Sequence, residues 1–264
     1  MRVSFLGTGA AGGVPLYGCT CAACTRAQVD PRHVRRPCSV LVEHGQTRVL
    51  IDAGLMDLHE RFAPGSLSGI VLTHFHADHV QGLLHLRWGR GAPIPVYAPP
   101  DSEGFADLYK HPGLLDFRRL AKFEPQRIGT LGFKPVPLVH SKPTFGYAIE
   151  ADSGQRFAYL TDTLGLPAQT EAFLRDWRAD GLAIDCSDPP GDAPQNGPLK
   201  GHNDWDQALA AIASVAPRRA WLTHVGHALD DWLVRAAPDM PASVAVAQDG
   251  ESVVLAAGRR DDAA

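Results

Sequence analysis

The segment that decides the fold lies between residues 73 and 79 and reads Thr73-His74-Phe75-His76-Ala77-Asp78-His79. It places three imidazoles and one carboxylate within six consecutive positions. Bringing these groups together is unfavourable unless a cation compensates for the loss of their hydration. In an extended turn His74 and His76 point the same way, as alternate residues do, whereas Asp78 and His79 fall at the start of a helix predicted over residues 80–86. One short loop can therefore serve two metal positions.

Five apolar runs along the chain end in a residue type that binds metals. Their last residues, in chain order, are Asp52, His74, His140, Asp162 and His224. A purely structural core would leave histidine and aspartate out of such runs or scatter them along the strands. In layered α/β folds, sites form at the carboxyl ends of strands. We therefore expect these five residues to meet at one rim of the fold.

Short strands with intervening helices are predicted for most of the chain, which favours an α/β domain of two sheets covered by helices. Apolar spacing predicts helices over residues 166–177, 204–215 and 228–235, with Asn203 as the N-cap of the second. Residues 243–247 and 252–256 flank a Gln-Asp-Gly-Glu turn and predict a hairpin. We expect one domain over residues 1–257, followed by a polar C-terminal tail over residues 258–264.

The bulk composition excludes several classes of protein. The chain has 264 residues and a net charge of −4, which argues against non-specific nucleic-acid binding. No apolar run approaches the roughly 18 residues of a membrane span, and the N-terminal segment makes a poor signal peptide. Five cysteines, three of them clustered, do not form a disulfide framework. These features favour a cytoplasmic protein without a membrane or nucleic-acid partner, in which clustered cysteines bind metal.

A glycine motif near the start of the chain, Gly7-Thr8-Gly9-Ala10-Ala11-Gly12, matches the G-x-G-x-x-G pattern of dinucleotide sites. That fingerprint must also open a helix. The residues that follow, Gly13-Val14-Pro15-Leu16-Tyr17-Gly18, have no helical character. We therefore interpret these glycines as a tight loop.

Residues 74–79 resemble the H-x-H-x-D-H signature of the metallo-β-lactamase superfamily, an αββα sandwich of hydrolases. Other superfamily elements recur in order, as Asp52-Ala53-Gly54, His140, Asp162 and His224. The resemblance implies two metal sites joined by Asp162, the first formed by His74, His76 and His140 and the second by Asp78, His79 and His224. Imidazole and carboxylate ligands suit Mn²⁺ or Zn²⁺. Asp52 is expected to orient a histidine rather than to bind metal.

The implied site has the chemistry of phosphoester hydrolysis. Two metals about 3.5–4 Å apart can hold a hydroxide, polarise a phosphoryl oxygen and offset charge on the leaving oxygen. We count Asp78 among the catalytic residues because the dinuclear site depends on it. The departing oxygen also needs a proton, and His202, in the loop Lys200-Gly201-His202-Asn203, is a candidate general acid. The alternative is a solvated loop histidine.

Three local motifs are similar to those of one branch of the superfamily, the phosphoribosyl cyclic phosphate phosphodiesterases of the carbon–phosphorus lyase pathway. They are the C-x-C-x-x-C insert after the glycine loop, the Gly201-His202-Asn203 loop, and His224-Val225-Gly226-His227. The resemblance spans about residues 3–230. It implies a homodimer that opens 5-phosphoribosyl 1,2-cyclic phosphate to ribose 1,5-bisphosphate in phosphonate catabolism. It does not indicate which residues bind the 5-phosphate.

Two other functions stay open at this point. A broader cyclic-nucleotide or tRNA 3′-processing-like phosphodiesterase would share the metals and differ in the pocket. The long basic arm that holds tRNA in such nucleases is missing from this sequence, which weakens that alternative. A non-catalytic protein of cofactor biosynthesis with the same fold should have lost metal ligands, whereas the ligand set here is intact.

The insert over residues 17–30 contains Cys19, Cys21 and Cys24, three thiols at spacings typical of a zinc site. A closed structural zinc site needs four ligands. His227 is the expected fourth ligand, since it lies three residues beyond His224. A Cys₃His set leaves no open position for substrate, so we expect a structural Zn²⁺ that braces the loop carrying His224.

Overall fold

A computed structural model describes residues 1–191 and 201–258 of the protein. The strands within these residues are β1 (Arg2–Gly7), β2 (Ser39–His44), β3 (Thr47–Ile51), β4 (Gly69–Val71), β5 (Ile94–Ala98), β6 (Leu115–Arg119), β7 (Gln126–Ile128), β8 (Leu131–Pro137), β9 (Phe145–Ala151), β10 (Arg156–Leu160), β11 (Gly181–Asp185), β12 (Ala220–Thr223), β13 (Val244–Val246) and β14 (Ser252–Val254). The α-helices are α1 (Ala22–Val29), α2 (Leu58–Arg61), α3 (Ala77–Val80), α4 (Leu83–Leu86), α5 (Ala106–Lys110), α6 (Ala168–Trp177), α7 (Trp205–Val215) and α8 (His227–Ala236).

Two seven-stranded sheets pack face to face. In spatial order the first is β14-β1-β2-β3-β4-β5-β6 and the second is β13-β12-β11-β10-β9-β8-β7. Because successive side chains of a strand point to opposite faces, every second residue can enter the space between the sheets. Apolar side chains of both sheets share this core, in which the rings of Phe5 and Trp221 lie 6.0 Å apart.

Helices cover the outer face of each sheet. Leu174 of α6 and Ile212 of α7 are buried against the second sheet. Leu83 of α4 and Leu108 of α5 are buried against the first sheet. The order of layers is therefore helix, sheet, sheet, helix, which confirms the predicted αββα sandwich.

Parallel strands bring the predicted site residues to one rim. In the first sheet β3, β4 and β5 are parallel, and in the second sheet β10, β11, β12 and β13 are parallel. Asp52 directly follows β3, and His224 directly follows β12. Asp162 lies two residues beyond β10. Each sheet thus supplies part of the site from the carboxyl ends of its strands.

The predicted hairpin over residues 243–256 is wrong, because its two strands belong to different sheets. β13 pairs in parallel with β12, whereas β14 pairs antiparallel with β1. Tertiary contacts hold the connection: the Asp249 carboxylate accepts hydrogen bonds from the backbone N–H groups of Thr8 at 2.9 Å and Arg36 at 2.8 Å. The connection therefore crosses the open edge of the sandwich instead of folding back on itself.

Two helix boundaries also differ from the prediction. The N-cap of α7 is Asp204, whose carboxylate accepts from the backbone N–H of Gln207, while the Asn203 side chain donates to the backbone oxygen of Asp185. The helix predicted over residues 80–86 is divided into α3 and α4. Gly82 lies between them, and its N–H donates to the Ala53 backbone oxygen at 2.9 Å, outside the helical ladder.

The N-terminal loop agrees with its prediction. Residues 8–18 form no helix, and Gly9 makes isolated bridges to Pro37 and Val225. No helix among the described residues is both long enough and apolar enough to cross a membrane.

Candidate metal centre

Two clusters of ligand atoms lie at the rim and meet at Asp162. The first ligand group is His74, His76, His140 and Asp162, and the second ligand group is Asp78, His79 and His224; the ligand atoms within each group lie within 4.8 Å of one another. All seven residues come from loops that follow strands, apart from Asp78 and His79, which lie in α3. The structure thus brings together every residue that the sequence predicts for the dinuclear site.

The two carboxylate oxygens of Asp162 face different groups. Oδ2 lies 3.6 Å from Nε2 of both His74 and His140. Oδ1 lies 3.3 Å from His79 Nε2 and 3.5 Å from His224 Nε2. A carboxylate in this position can contact a cation on each side.

The nitrogen atoms at the centre of the site fit divalent cations. Nε2 of His79 and Nε2 of His224 are buried and have no hydrogen-bond partner. Nδ1 of His76 lies 2.8 Å from His74 Nε2 and 3.0 Å from His140 Nε2, so three imidazole nitrogens converge in the first group. Buried polar atoms normally have partners, and imidazole with carboxylate suits Zn²⁺ or Mn²⁺.

The local electrostatics keep the aspartates of the site anionic. Burial raises the pKa of Asp162, but the imidazoles of His224 and His79 outweigh burial and hold that pKa well below its usual value. Burial also raises the pKa of Asp78, and the neighbouring imidazoles of His224 and His79 lower it by more. Conversely, burial lowers the pKa of His79, but Asp162 and Asp52 raise it well above its ordinary value. Without cations, a proton on the His79 imidazole offsets part of the negative charge of these aspartates.

Asp52 lies behind His79 and outside both ligand groups. Its Oδ2 is 2.8 Å from His79 Nδ1, and its Oδ1 accepts from the backbone N–H of Thr73 at 2.8 Å. Because His79 Nδ1 is held by the carboxylate, His79 Nε2 is left to face Asp78 and Asp162. The Thr73 hydroxyl also lies 3.1 Å from His74 Nδ1.

His202 lies beside the dinuclear site, with its side chain 20% exposed. Its Nδ1 is 2.8 Å from Asp185 Oδ2 and 4.0 Å from Asp162 Oδ2. Burial lowers the pKa of His202, but the Asp185 carboxylate outweighs burial and raises that pKa to about 9. Lys200, the first residue of the predicted loop motif, lies outside the described residues.

The sequence reasoning missed Asp185 and Ser187. Asp185 is the last residue of β11 and is fully buried, so it follows the same rule of polar residues at strand ends that identifies Asp52. Ser187 lies two residues further on and has no comparable signal, because a single serine in a loop is common.

Three residues of the site have left-handed backbone. The φ angles of Asp52, Asp162 and His224 are 59°, 61° and 58°. Each residue follows a strand, and the sharp turn directs its side chain across the rim. This region of φ is unfavourable for residues other than glycine, although aspartate and histidine enter it more often than most.

The three clustered thiols also come together. The sulfurs of Cys19, Cys21 and Cys24 lie within 4.8 Å of one another. Cys21 is the N-cap of α1, and Cys24 lies within that helix. His227 begins α8, and its ring nitrogens are outside the 4.8 Å group. Asp231 of α8 accepts a hydrogen bond from the Ala22 backbone N–H at 2.8 Å, so α8 anchors the start of α1.

Comparisons with known proteins agree with this geometry. Octanoyltransferase of Porphyromonas gingivalis is 27% identical over 246 residues, which cover 86% of this chain and 46% of that protein. The chain therefore spans about half the length of this relative. Coenzyme PQQ synthesis protein B of Methylorubrum populi is 28% identical over 271 residues, covering 86% of this chain and 90% of that protein.

Among solved structures, one described as a new diphosphatase from the PhnP family superposes with a TM-score of 0.78 at 27% identity, covering 97% of this chain and 98% of that chain. A family model described as "Beta-lactamase superfamily domain" matches residues 47–225. That segment contains both ligand groups, Asp52 and His202. The chain belongs to the β-lactamase superfamily of metal-dependent hydrolases.

Proposed function

We propose that the protein is a metal-dependent phosphodiesterase that hydrolyses 5-phosphoribosyl 1,2-cyclic phosphate to ribose 1,5-bisphosphate. The observation that carries the proposal is the position of Asp162, whose two oxygens face the two ligand groups while His202 lies 4.0 Å from Oδ2. The cysteine insert, the Gly201-His202-Asn203 loop and the PhnP-family structural neighbour support the choice of substrate.

In this proposal each ligand group would hold one divalent cation, Mn²⁺ or Zn²⁺, and Asp162 would serve both groups. The bound cations would polarise a phosphoryl oxygen and make water a better nucleophile. Asp78 and Asp162 supply the negative charge that retains the cations. Asp52 holds the His79 ring so that its Nε2 is available.

His202 is the proposed general acid. Water attacks phosphorus and loses one proton to the solvent, and the bond between phosphorus and the C2 oxygen breaks. The departing C2 oxygen takes a proton from His202, which the solvent then replaces. Asp185 Oδ2 lies 2.8 Å from His202 Nδ1, which leaves Nε2 as the nitrogen that can donate to the leaving oxygen. A pKa of about 9 keeps the imidazole protonated at neutral pH, and neighbouring cations would lower it towards the range in which proton donation is efficient.

A structural Zn²⁺ on Cys19, Cys21, Cys24 and His227 completes the proposed metal content. The resemblance also supports a homodimer that acts on a small phosphorylated sugar. The clustered cysteines favour a cytoplasmic location, and the net charge of −4 argues against a nucleic-acid partner.

The diphosphatase named in the structural comparison favours a second candidate, hydrolysis of a diphosphate bond. Both reactions transfer a phosphoryl group to water and need the same cations. They differ in the leaving group, which is a sugar hydroxyl in the first and a phosphate in the second.

A ³¹P NMR assay separates the two candidates. The protein, loaded with Mn²⁺ and then passed over chelating resin, is incubated with the ribosyl cyclic phosphate, with a nucleoside diphosphate sugar, or with a 2′,3′-cyclic nucleotide. Loss of the cyclic resonance and growth of one new monoester resonance, beside the 5-phosphate resonance that the substrate already has, is the expected result. Cleavage of the diphosphate alone would favour the second candidate, and faster cleavage of the cyclic nucleotide would favour a broader phosphodiesterase. No cleavage of any substrate would overturn the proposal.

A further inference from the structure

Ser187 joins two histidines of the site to one buried carboxylate. It lies in the loop after β11, and only 6% of the residue is exposed. Its hydroxyl is 2.7 Å from Asp185 Oδ1, 2.9 Å from His224 Nδ1 and 2.9 Å from the His224 backbone oxygen. This contact set is too specific for a residue that merely fills space.

The chemistry of these contacts assigns the tautomer of His224. A hydroxyl has one proton to donate, and the Asp185 carboxylate and the backbone oxygen are both acceptors only. Whichever of them takes the Ser187 proton, the hydroxyl oxygen is left to accept from His224 Nδ1–H. In the neutral ring His224 Nε2 is then the unprotonated nitrogen, and it faces Asp162 Oδ1 at 3.5 Å and Asp78 Oδ2 at 3.6 Å.

The same carboxylate also holds His202. Asp185 Oδ2 is 2.8 Å from His202 Nδ1 and accepts from the Thr163 backbone N–H at 3.0 Å. The rings of His202 and His224 stack with their centroids 4.8 Å apart and their planes 13° apart. One buried carboxylate therefore reaches both rings, His202 directly and His224 through the Ser187 hydroxyl.

We propose that Ser187 is a positioning residue, whose hydroxyl fixes the ring of His224 with Nε2 free for a cation and sets its distance from the Asp185–His202 pair. Its role contrasts with the first sheet, where Asp52 contacts His79 Nδ1 without an intervening hydroxyl. The kinetic part of the proposal rests on the proposed function, whereas the metal-binding part does not.

The test compares Ser187→Ala and Ser187→Cys, which remove the hydroxyl, with Ser187→Thr, which retains it. Ser4→Ala is the matched control, because Ser4 is also buried and, among the described residues, its hydroxyl bonds only to that of Ser252, at 2.7 Å and away from the rim. Metal-depleted full-length protein is titrated with Mn²⁺, and free Mn²⁺ is followed by electron paramagnetic resonance. Thiolates disfavour Mn²⁺, so the titration reports on the two imidazole–carboxylate groups.

We expect Ser187→Ala and Ser187→Cys to weaken one of two Mn²⁺-binding events by about 10- to 100-fold and to leave the other unchanged, since outer partners of metal ligands have effects of this size. Ser187→Thr and Ser4→Ala should bind as the parent does. With an active substrate, kcat should fall by at least about 10-fold in the first two variants while KM changes less.

Two unchanged binding events in Ser187→Cys would overturn the proposal, as would a Ser187→Thr variant as weak as Ser187→Ala, since packing and not the hydroxyl would then matter. If circular dichroism shows Ser187→Ala to be unfolded, the test is the comparison of Mn²⁺ binding by Ser187→Cys with Mn²⁺ binding by Ser187→Thr. If the parent protein binds two Mn²⁺ but cleaves no phosphoester, the proposed function is wrong. The comparison of Mn²⁺ binding among the variants still tests the role of Ser187.

Discussion

At the scale of single residues, the shifted pKa values of Asp162 and His79 make cation binding at the site dependent on pH. The pKa of Asp162 is held well below its usual value by the surrounding imidazoles, and the pKa of His79 is raised well above its own by Asp162 and Asp52. A cation that binds His79 Nε2 must therefore displace a proton. Metal binding at the second ligand group is expected to release protons and to weaken as the pH falls.

Asp78→Ala tests whether the second ligand group is needed for activity. Asp78 Oδ2 lies 3.4 Å from His79 Nε2 and 3.6 Å from His224 Nε2, so the variant removes one of the two carboxylates that face these imidazoles and leaves only Asp162. We expect Mn²⁺-dependent hydrolysis of bis(p-nitrophenyl) phosphate to fall at least about 100-fold, beyond the usual effect of losing an outer partner. Asp116→Ala is the control, because Asp116 is exposed on β6 and pairs with Arg118. Retained activity in Asp78→Ala would contradict the dinuclear assignment.

At the scale of structural elements, the loop before α7 contacts the first ligand group and also carries His202, the proposed general acid. The Gly201 backbone oxygen is 2.9 Å from His140 Nδ1, and the next residue is His202. Gly201 has a φ of 72°, and a Cβ atom there would lie 2.4 Å from His140 Nδ1. The loop can approach His140 this closely only because position 201 has no side chain.

Gly201→Ala should therefore displace His140 and His202 together. We expect hydrolysis to fall at least about 10-fold, since small displacements of catalytic groups have large effects on rate. Gly45→Ala is a closely matched control: Gly45 also has a positive φ, of 57°, but a Cβ atom there would meet nothing within 4 Å. Both variants carry the cost of a left-handed alanine, about 1 kcal/mol, and the clash with His140 should lower the thermal stability of Gly201→Ala further. Equal activities would show that the contact with His140 is unimportant.

The sequence predicts most of this element structure, because strands that end at Asp52, Asp162 and His224 carry long apolar runs. The sequence does not predict which strands pair with one another within each sheet. The hairpin prediction failed because β13 pairs with the preceding strand, β12, whereas β14 pairs with β1 at the other end of the chain. Likewise, the contacts of Ser187 depend on how β11 and β12 lie side by side, and no local pattern reports that.

At the scale of the whole molecule, both sheets are needed for the site, and α1 and α8 join the cysteine insert to the second sheet. The Arg26 guanidinium of α1 pairs with the buried Asp230 carboxylate of α8 at 3.0 Å. Because α8 begins three residues after His224, a change in the insert can reach the second ligand group through this helix pair.

His227→Ala tests the proposed structural zinc. Elemental analysis should show a loss of about one zinc per chain, with the two catalytic metals retained, because a closed tetrahedral site needs its fourth ligand. Cys186→Ala is the control: this buried thiol lies outside the cysteine group and should leave the zinc content unchanged. If His227→Ala keeps the parental zinc content, the fourth ligand is another residue.

The left-handed backbone at Asp52, Asp162 and His224 has a consequence for the evolution of this rim. At such positions glycine is the residue that the backbone itself favours, so function and stability select different residues there. Asp52→Gly should unfold at a higher temperature than Asp52→Ala, by the equivalent of about 1 kcal/mol, which reverses the usual ranking of the two substitutions. Calorimetry of the two metal-free variants measures this directly, and an Asp52→Ala variant of equal or greater stability would show that position 52 carries no strain. A descendant that lost its activity would be free to acquire glycines at these three turns, and in this fold they would mark a site that selection no longer maintains.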